Sequence, residues 1–290
     1  MRAVERVGVV GAGLMGSEIG LVFALAGHQV LLADQTESLL AAARDRLAAI
    51  TVKGAKRGFY TADTAAGAMT RITTTTDLSL FQDCDFVTEA VFEDLAVKRE
   101  VLTRLDDVCP RGCVIATNTS TIPISTLAAC LSESRRENFI GTHYFSPVSR
   151  MKLVEVIPAF QTSTHCKELT IQTCAAIGKT PICVKDVAGF AVNRVLHALL
   201  IEAVRLVEEG VAKPEDIDTA CRLGLGHPIG PFELMDVTTS RLCLQAQEIM
   251  HEAYGERFRP RPLLKQRVRA GFVGGKTGKG WRGRSDSNGT

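Results

Sequence analysis

The sequence predicts an α/β fold, a doubly wound parallel sheet followed by an all-α C-terminal domain. Three observations carry this. Val- and Ile-rich runs alternate with segments of helical spacing from Arg6 to Val184, a glycine-rich hexapeptide follows the first run directly, and strand-like runs cease near Lys185. Such alternation implies βαβ units and a mostly buried sheet. At 290 residues the chain has room for two domains, given about 100–200 residues per domain. Its 46% hydrophobic and 23% charged residues exclude disorder, collagen and coiled coil.

Element by element, strands are expected at Arg6–Val10, Val30–Asp34, Arg71–Thr74, Phe86–Glu89, Val114–Thr117, Phe139–His143, Leu153–Ile157 and Pro181–Val184. Helices are expected between them at Leu14–Ala26, Glu37–Ile50, Leu95–Val108 and Lys167–Ile177. From Gly189 only helices follow: Phe190–Glu209, Pro214–Arg222, Pro231–Val237, Arg241–Tyr254 and Pro262–Ala270. Pro214, with Glu215 and Asp216 in the first turn, is a favourable helix start. Domains 1–187 and 188–290 are expected, with Asp186 and Gly189 at the hinge. After Gly271 the Gly, Lys, Ser and Asn content predicts a poorly packed tail.

No stretch reaches the ~20 apolar residues of a membrane span, and the N-terminus lacks a signal-peptide pattern. A soluble, cytoplasmic protein is the expectation. Nine cysteines without a Cys-x-x-Cys read as reduced thiols, not a disulfide or zinc framework, and no metal site is expected. Ten Lys/Arg and no acidic residue lie between Arg257 and Arg284. With no nucleic-acid motif beside it, this run reads as a solvated face.

Gly11-Ala12-Gly13-Leu14-Met15-Gly16 sits between a strand and a helix, the context a dinucleotide-binding turn requires. Gly11 permits the tight turn, Gly13 the approach of a pyrophosphate, and Gly16 close packing, while the amides of Leu14 and Met15 open the helix. Asp34 lies 18 residues beyond Gly16, where a carboxylate accepts ribose hydroxyls and repels a 2′-phosphate. The sheet is therefore of Rossmann type and the cofactor NAD. A structural turn with a surface Asp is the bland alternative.

Six further segments bear on the reaction: Glu89–Lys98, Thr117–Thr121, His143–Pro147, Met151–Ile157, Gly189–Arg194 and Gly226–Leu234. In this order they resemble the 3-hydroxyacyl-CoA dehydrogenase family, most of all its single-function 3-hydroxybutyryl-CoA members. The resemblance implies NAD-dependent, reversible oxidation of an (S)-3-hydroxyacyl-CoA to the 3-oxoacyl-CoA, and a homodimer formed through the helical domain. A dehydrogenase of a free hydroxy acid such as L-gulonate, or a non-catalytic crystallin-like NAD binder, are the alternatives.

His143 is the candidate base: it stands at a predicted strand end, and imidazole's ordinary pKa of about 6.5 suits reversible proton transfer. Glu155, between two valines twelve residues on, needs a partner if buried and would fix the imidazole tautomer. It could instead be a solvent-facing residue of an edge strand. The resemblance assigns both these roles, matches Ser120 and Asn193 to substrate contacts, and places Glu93, Lys98 and Asn118 near the nicotinamide. The bland alternatives are a turn serine, a polar helix face and an exposed Glu–Lys pair. Lys53, Lys56 and Arg57, in a basic stretch expected after a helix, match where the family docks CoA. Ser146 departs from the family's His-Phe-Phe-Asn-Pro, as Gly278–Trp281 does from its Gly-Phe-Tyr ending.

Overall fold

Eight strands form one sheet in the order β3-β2-β1-β4-β5-β6-β7-β8. They are β1 (Arg6–Val10), β2 (Gln29–Ala33), β3 (Ile72–Thr75), β4 (Phe86–Glu89), β5 (Val114–Thr117), β6 (Phe139–Tyr144), β7 (Leu153–Pro158) and β8 (Thr180–Cys183). The computed structural model describes residues 4–282, which fall into two units dividing between Val187 and Ala188. Every residue of β4, β5 and β6 is buried, and each strand opens on apolar residues and carries its polar ones toward the carboxyl end. From β1 the chain builds outward through β2 and β3, then returns to lay β4 on the other side of β1. This reversal is the topological switch point at which such sheets bind ligands.

The helices of the first unit are α1 (Leu14–Leu25), α2 (Glu37–Lys56), α3 (Ala62–Thr70), α4 (Leu95–Val108), α5 (Ile124–Ala128), α6 (Glu133–Arg136) and α7 (Thr164–Ala176). Ile19 and Phe23 of α1, Leu40 and Leu47 of α2, and Cys166 and Cys174 of α7 belong to the core that also buries Val7, Leu32 and Val156 of the sheet.

Two expectations are corrected here. The sheet is not wholly parallel: β6 and β7 are antiparallel, because the eight residues between them are too few for a crossover helix. The helix expected to end at Ile50 continues to Lys56, so Lys53 and Lys56 lie in its last turn and Arg57 caps it. The short helices α3, α5 and α6 had no legible periodicity in the sequence.

The second unit holds α8 (Val192–Glu208), α9 (Pro214–Gly224), α10 (Pro231–Thr238), α11 (Ser240–Tyr254) and α12 (Pro262–Arg269). α8 begins two residues later than its spacing suggests, because Gly189 and Phe190 take positive φ values of 72° and 42°, which a right-handed helix excludes. Leu200, Val204, Phe232, Met235 and Leu264 form its core.

The expected loose tail is also corrected, as far as Arg282. Trp281 is buried in that core: its amide donates to Asp236 Oδ1 (2.8 Å), its Nε1 to Ser240 Oγ (2.9 Å), and its ring lies 4.9 Å from that of Phe232. One aromatic side chain outweighs a glycine-rich composition. In the basic run Arg259 and Arg261 pair with Glu256 and Glu208, and Arg267 stacks on Trp281; Arg284 lies outside the described residues.

Candidate active site

The glycine hexapeptide closes the gap between β1 and α1 at the switch point. Gly11 takes φ +100°, and a Cβ there would lie 2.5 Å from the Ala90 carbonyl oxygen. A Cβ on Gly16 would overlap the Gly11 carbonyl, whereas one on Gly13 would meet nothing within 4 Å. So Gly11 and Gly16 are fixed by the turn itself, while the open face at Gly13 fits a group brought against the backbone. The amides of Leu14, Met15 and Gly16 lie in the first turn of α1, where no intrahelical acceptor exists. Together with the helix dipole they suit a pyrophosphate.

Asp34 follows β2 directly. Its Oδ2 accepts from the Ala12 amide at 2.6 Å and its Oδ1 from the Gln35 amide at 2.7 Å. The carboxylate is half-exposed and joined to the same turn, a placement that fits a ribose.

The parallel strands β1, β4, β5 and β6 bring their carboxyl ends to one edge, so the residues after β5 and at the end of β6 share that edge with the glycine turn. There His143 is paired in register with Glu155 across the antiparallel β6–β7 ladder. Their side chains meet at 2.8 Å between Nδ1 and Oε2, and both are buried. Ser120 Oγ lies 3.0 Å from His143 Nε2 on the other side of the ring, and the Phe145 ring packs edge-on against the imidazole. β7 lies between β6 and β8, so Glu155 is not a solvent-facing residue of an edge strand. With Nδ1–H donating to the carboxylate, Nε2 is left to exchange a proton.

The loop bearing Ser120 is gripped by one carboxylate oxygen. Glu93 Oε1 accepts from the Thr119 hydroxyl (2.6 Å), the Ser120 and Thr121 amides (both 2.9 Å) and the Thr121 hydroxyl (2.9 Å). Burial pushes the Glu93 carboxyl up, but Lys98 and these donors outweigh it and hold it below the ordinary range. Lys98 is 1% exposed; its ammonium donates to Glu89 Oε1 (2.8 Å) and the Val91 carbonyl (3.4 Å) and forms an ion pair with Glu93 Oε2 at 3.3 Å. Lys98 is thus buried and Glu93 half-buried, so this is not the fully exposed pair the bland alternative required. Asn118 is likewise turned to the fold: its Oδ1 accepts from the Tyr144 amide at 2.9 Å, tying the end of β6 to the residue after β5.

Ser120, His143, Glu155, Glu93, Lys98 and Asn118 therefore come together within the first unit. Asn193 belongs to the second, in the first turn of α8. Lys53, Lys56 and Arg57 are exposed at the end of α2.

Sequence reasoning missed Glu89 and Arg46 as site residues. Glu89 is fully buried, and its Oε2 accepts from the Thr117 hydroxyl at 2.6 Å. An acid closing a Phe-Val-Thr-Glu strand was the available signal, since a charge at a strand's inner end needs a partner. Arg46 had none, being one of several charged positions on α2. Among the described residues no group of three or more His, Cys, Asp or Glu could hold a metal ion, and no helix is long and apolar enough to cross a membrane.

Comparison with known proteins identifies the family. Residues 6–187 match the family model described as 3-hydroxyacyl-CoA dehydrogenase, NAD binding domain, and residues 189–283 that family's C-terminal domain. A probable 3-hydroxybutyryl-CoA dehydrogenase of Deinococcus radiodurans is 39% identical over 277 residues, covering 95% of this chain and 99% of the relative. The mitochondrial hydroxyacyl-coenzyme A dehydrogenase of Homo sapiens is 40% identical over 96% of this chain and 90% of its own. The crystal structure of (S)-3-hydroxybutyryl-CoA dehydrogenase PaaH1 from Ralstonia eutropha superposes with a TM-score of 0.92 at 35% identity, over 96% of this chain and 98% of that one. This chain belongs to the 3-hydroxyacyl-CoA dehydrogenase family of NAD-dependent oxidoreductases.

Proposed function

We propose that the protein catalyses the reversible oxidation of a short-chain (S)-3-hydroxyacyl-CoA, 3-hydroxybutyryl-CoA, to the 3-oxoacyl-CoA. The observation that carries this is the hydrogen-bonded line Ser120–His143–Glu155 on the sheet edge that also bears the glycine turn. NAD, when bound, supplies the hydride acceptor. Gly13, the first-turn amides of α1 and Asp34 would hold it.

The chain's own residues handle the proton. His143 Nε2 takes the substrate's 3-hydroxyl proton, and in the reverse direction returns it. Glu155 keeps Nδ1 protonated and offsets the charge of the imidazolium formed. Ser120 Oγ, already on Nε2, is placed to share its hydrogen with the substrate's 3-oxygen, and the Asn193 amide would donate to the substrate carbonyl. Glu93, Lys98 and Asn118 act beneath the site, by shaping the Ser120 loop and the end of β6. Lys53, Lys56 and Arg57 would meet the CoA phosphates as steering charges.

A homodimer through the helical unit is part of this proposal. Val195, Val237 and Leu242 expose 73%, 68% and 58% of their surface there, apolar side chains that a second copy would cover. Action in the cytoplasm is supported by nine free thiols, which suit a reducing compartment.

The test is NADH absorbance with acetoacetyl-CoA, longer 3-oxoacyl-CoAs and L-gulonate, each with both nicotinamide cofactors. Turnover is expected with acetoacetyl-CoA and NADH, and His143→Ala should lower it by about 10²–10⁴-fold with NADH affinity retained. Absence of turnover with every thioester, or full activity in His143→Ala, would overturn the proposal.

A further inference from the structure

Arg46 reaches from α2 onto the outer side of the glycine turn. Its Nη2 donates to the Ala12 carbonyl at 2.6 Å and lies 3.3 Å from the Gly13 carbonyl. Its Nε and Nη2 lie 3.3 and 3.2 Å from Ser17 Oγ. That hydroxyl in turn donates to the Gly13 carbonyl at 2.7 Å. Both backbone polar groups of Ala12 are therefore pinned, its N–H on Asp34 and its carbonyl on Arg46. A guanidinium has five N–H donors. Three are spent on the turn, and among the described residues Nη1 has no protein acceptor.

This placement answers an electrostatic difficulty. Asp34 puts a negative charge 2.6 Å from an amide of the turn that must also receive a doubly negative pyrophosphate. The helix N-terminus offers only about half a positive charge against it. A full cation on the turn's carbonyl side cancels Asp34 and leaves the amide side net positive. Half-buried against α1, that cation is screened less than one free in solvent.

We propose that Arg46 is a dinucleotide-affinity determinant, a positioning residue whose guanidinium both holds the glycine turn in shape and offsets Asp34 for the pyrophosphate. This rests on the NAD-binding reading of the turn and adds to it a residue outside the glycine motif. Lysine would keep the charge but lose the planar, forked set of donors.

The experiment is fluorescence titration of NADH, and calorimetric titration of adenosine as a probe without phosphate, on the parent, Arg46→Met and Arg46→Lys at low and high salt. Circular dichroism confirms folding of each. Arg46→Met should weaken NADH about tenfold, equal to about 1.4 kcal/mol, and flatten the salt dependence of its Kd. Arg46→Lys should weaken NADH less than Arg46→Met, and adenosine should bind all three alike. The inference is overturned if Arg46→Met binds NADH within about twofold of the parent, a change too small for a cancelled charge. It is also overturned if adenosine weakens as much as NADH, which marks a collapsed turn, or if Arg46→Lys is as weak as Arg46→Met. Failure of the parent itself to bind NADH would instead remove the cofactor reading on which this stands.

Discussion

Replacing Lys98 with Met isolates what the buried charges beneath the Ser120 loop contribute. The ammonium lies between Glu89, 2.8 Å away and fully buried, and Glu93, 3.3 Å away. Methionine retains most of the apolar stem, so the loss is chiefly the charge with its two hydrogen bonds and its ion pair to Glu93. Glu89 then keeps the Val91 amide and the Thr117 hydroxyl but has no cation. Removing one member of such a pair costs about 3–5 kcal/mol, because the other stays buried and uncompensated. Against the usual 5–15 kcal/mol of a folded domain, about 3 kcal/mol is a large share, readable as a lower urea midpoint. Adding Glu89→Gln should restore part of it, since an amide needs no counter-charge.

Catalysis should carry a second signature of the same change. The depressed Glu93 carboxyl contributes stability that is present above its unfolded pKa of about 4.3 and lost as pH falls through its folded value. Without Lys98 that folded value rises, so the grip on the Ser120 loop, and turnover of acetoacetyl-CoA with it, should fail at a higher pH than in the parent. A Lys98→Met protein within about 1 kcal/mol of the parent in urea, with an unaltered acid limb of turnover, would refute the reasoning, because a cost that small belongs to exposed pairs.

Three further outcomes are expected. Asp34→Ser should weaken NADH and reduce the preference for NADH over NADPH by about tenfold, equal to about 1.4 kcal/mol, measured as the ratio of the two dissociation constants. His197 is buried on α8 with no hydrogen-bond partner on Nδ1 among the described residues, and burial pushes its pKa down to about 4. Since the unfolded chain takes that proton near 6.5, stability should fall by about 3 kcal/mol between pH 6.5 and 4; in His197→Leu, urea unfolding across that range should show a flatter decline. Trp281→Ala should destabilise the helical unit by about 3–5 kcal/mol, seen as a lower unfolding midpoint by circular dichroism.

What was legible in the sequence was whatever a local pattern encodes. β1, the glycine turn and α1 are each specified by a few adjacent residues, and Val-rich runs gave the buried strands because a sheet covered on both faces needs apolar side chains in both directions. His143 and Glu155 were legible as a pair because an acid between valines in a strand must be answered by something. The direction of β7 was harder to see, since an antiparallel neighbour has the same composition as a parallel one and only the short connection from Tyr144 to Leu153 separates them. α3 and α6 were invisible because nine and four residues hold too few turns to show a stripe. Arg46 touches groups fixed only by the fold, so nothing next to it in sequence announces those contacts, whereas the Lys98–Glu93 pair was legible from its five-residue spacing.

Ser146 shows the converse, a sequence departure that the fold absorbs. Inside a motif, serine for asparagine suggests a loop deprived of amide donors. In the structure Ser146 is exposed, and residues 145–152 are fastened elsewhere. Lys179 Nζ donates to the Val148 carbonyl and, at 2.8 Å, to that of Met151, while Glu18 Oε2 accepts from the Ser149 amide at 2.9 Å. Burial pulls the Lys179 ammonium below its ordinary range and Glu18 opposes that, so two opposite charges reach one loop from α1 and from the turn before β8. The five ladder pairs of β6 and β7 independently fix His143 opposite Glu155. The dyad's geometry therefore follows from the register and from these two buried anchors. It does not depend on the side chain at 146, and a variant residue inside a motif does not by itself weaken the case for a working dyad.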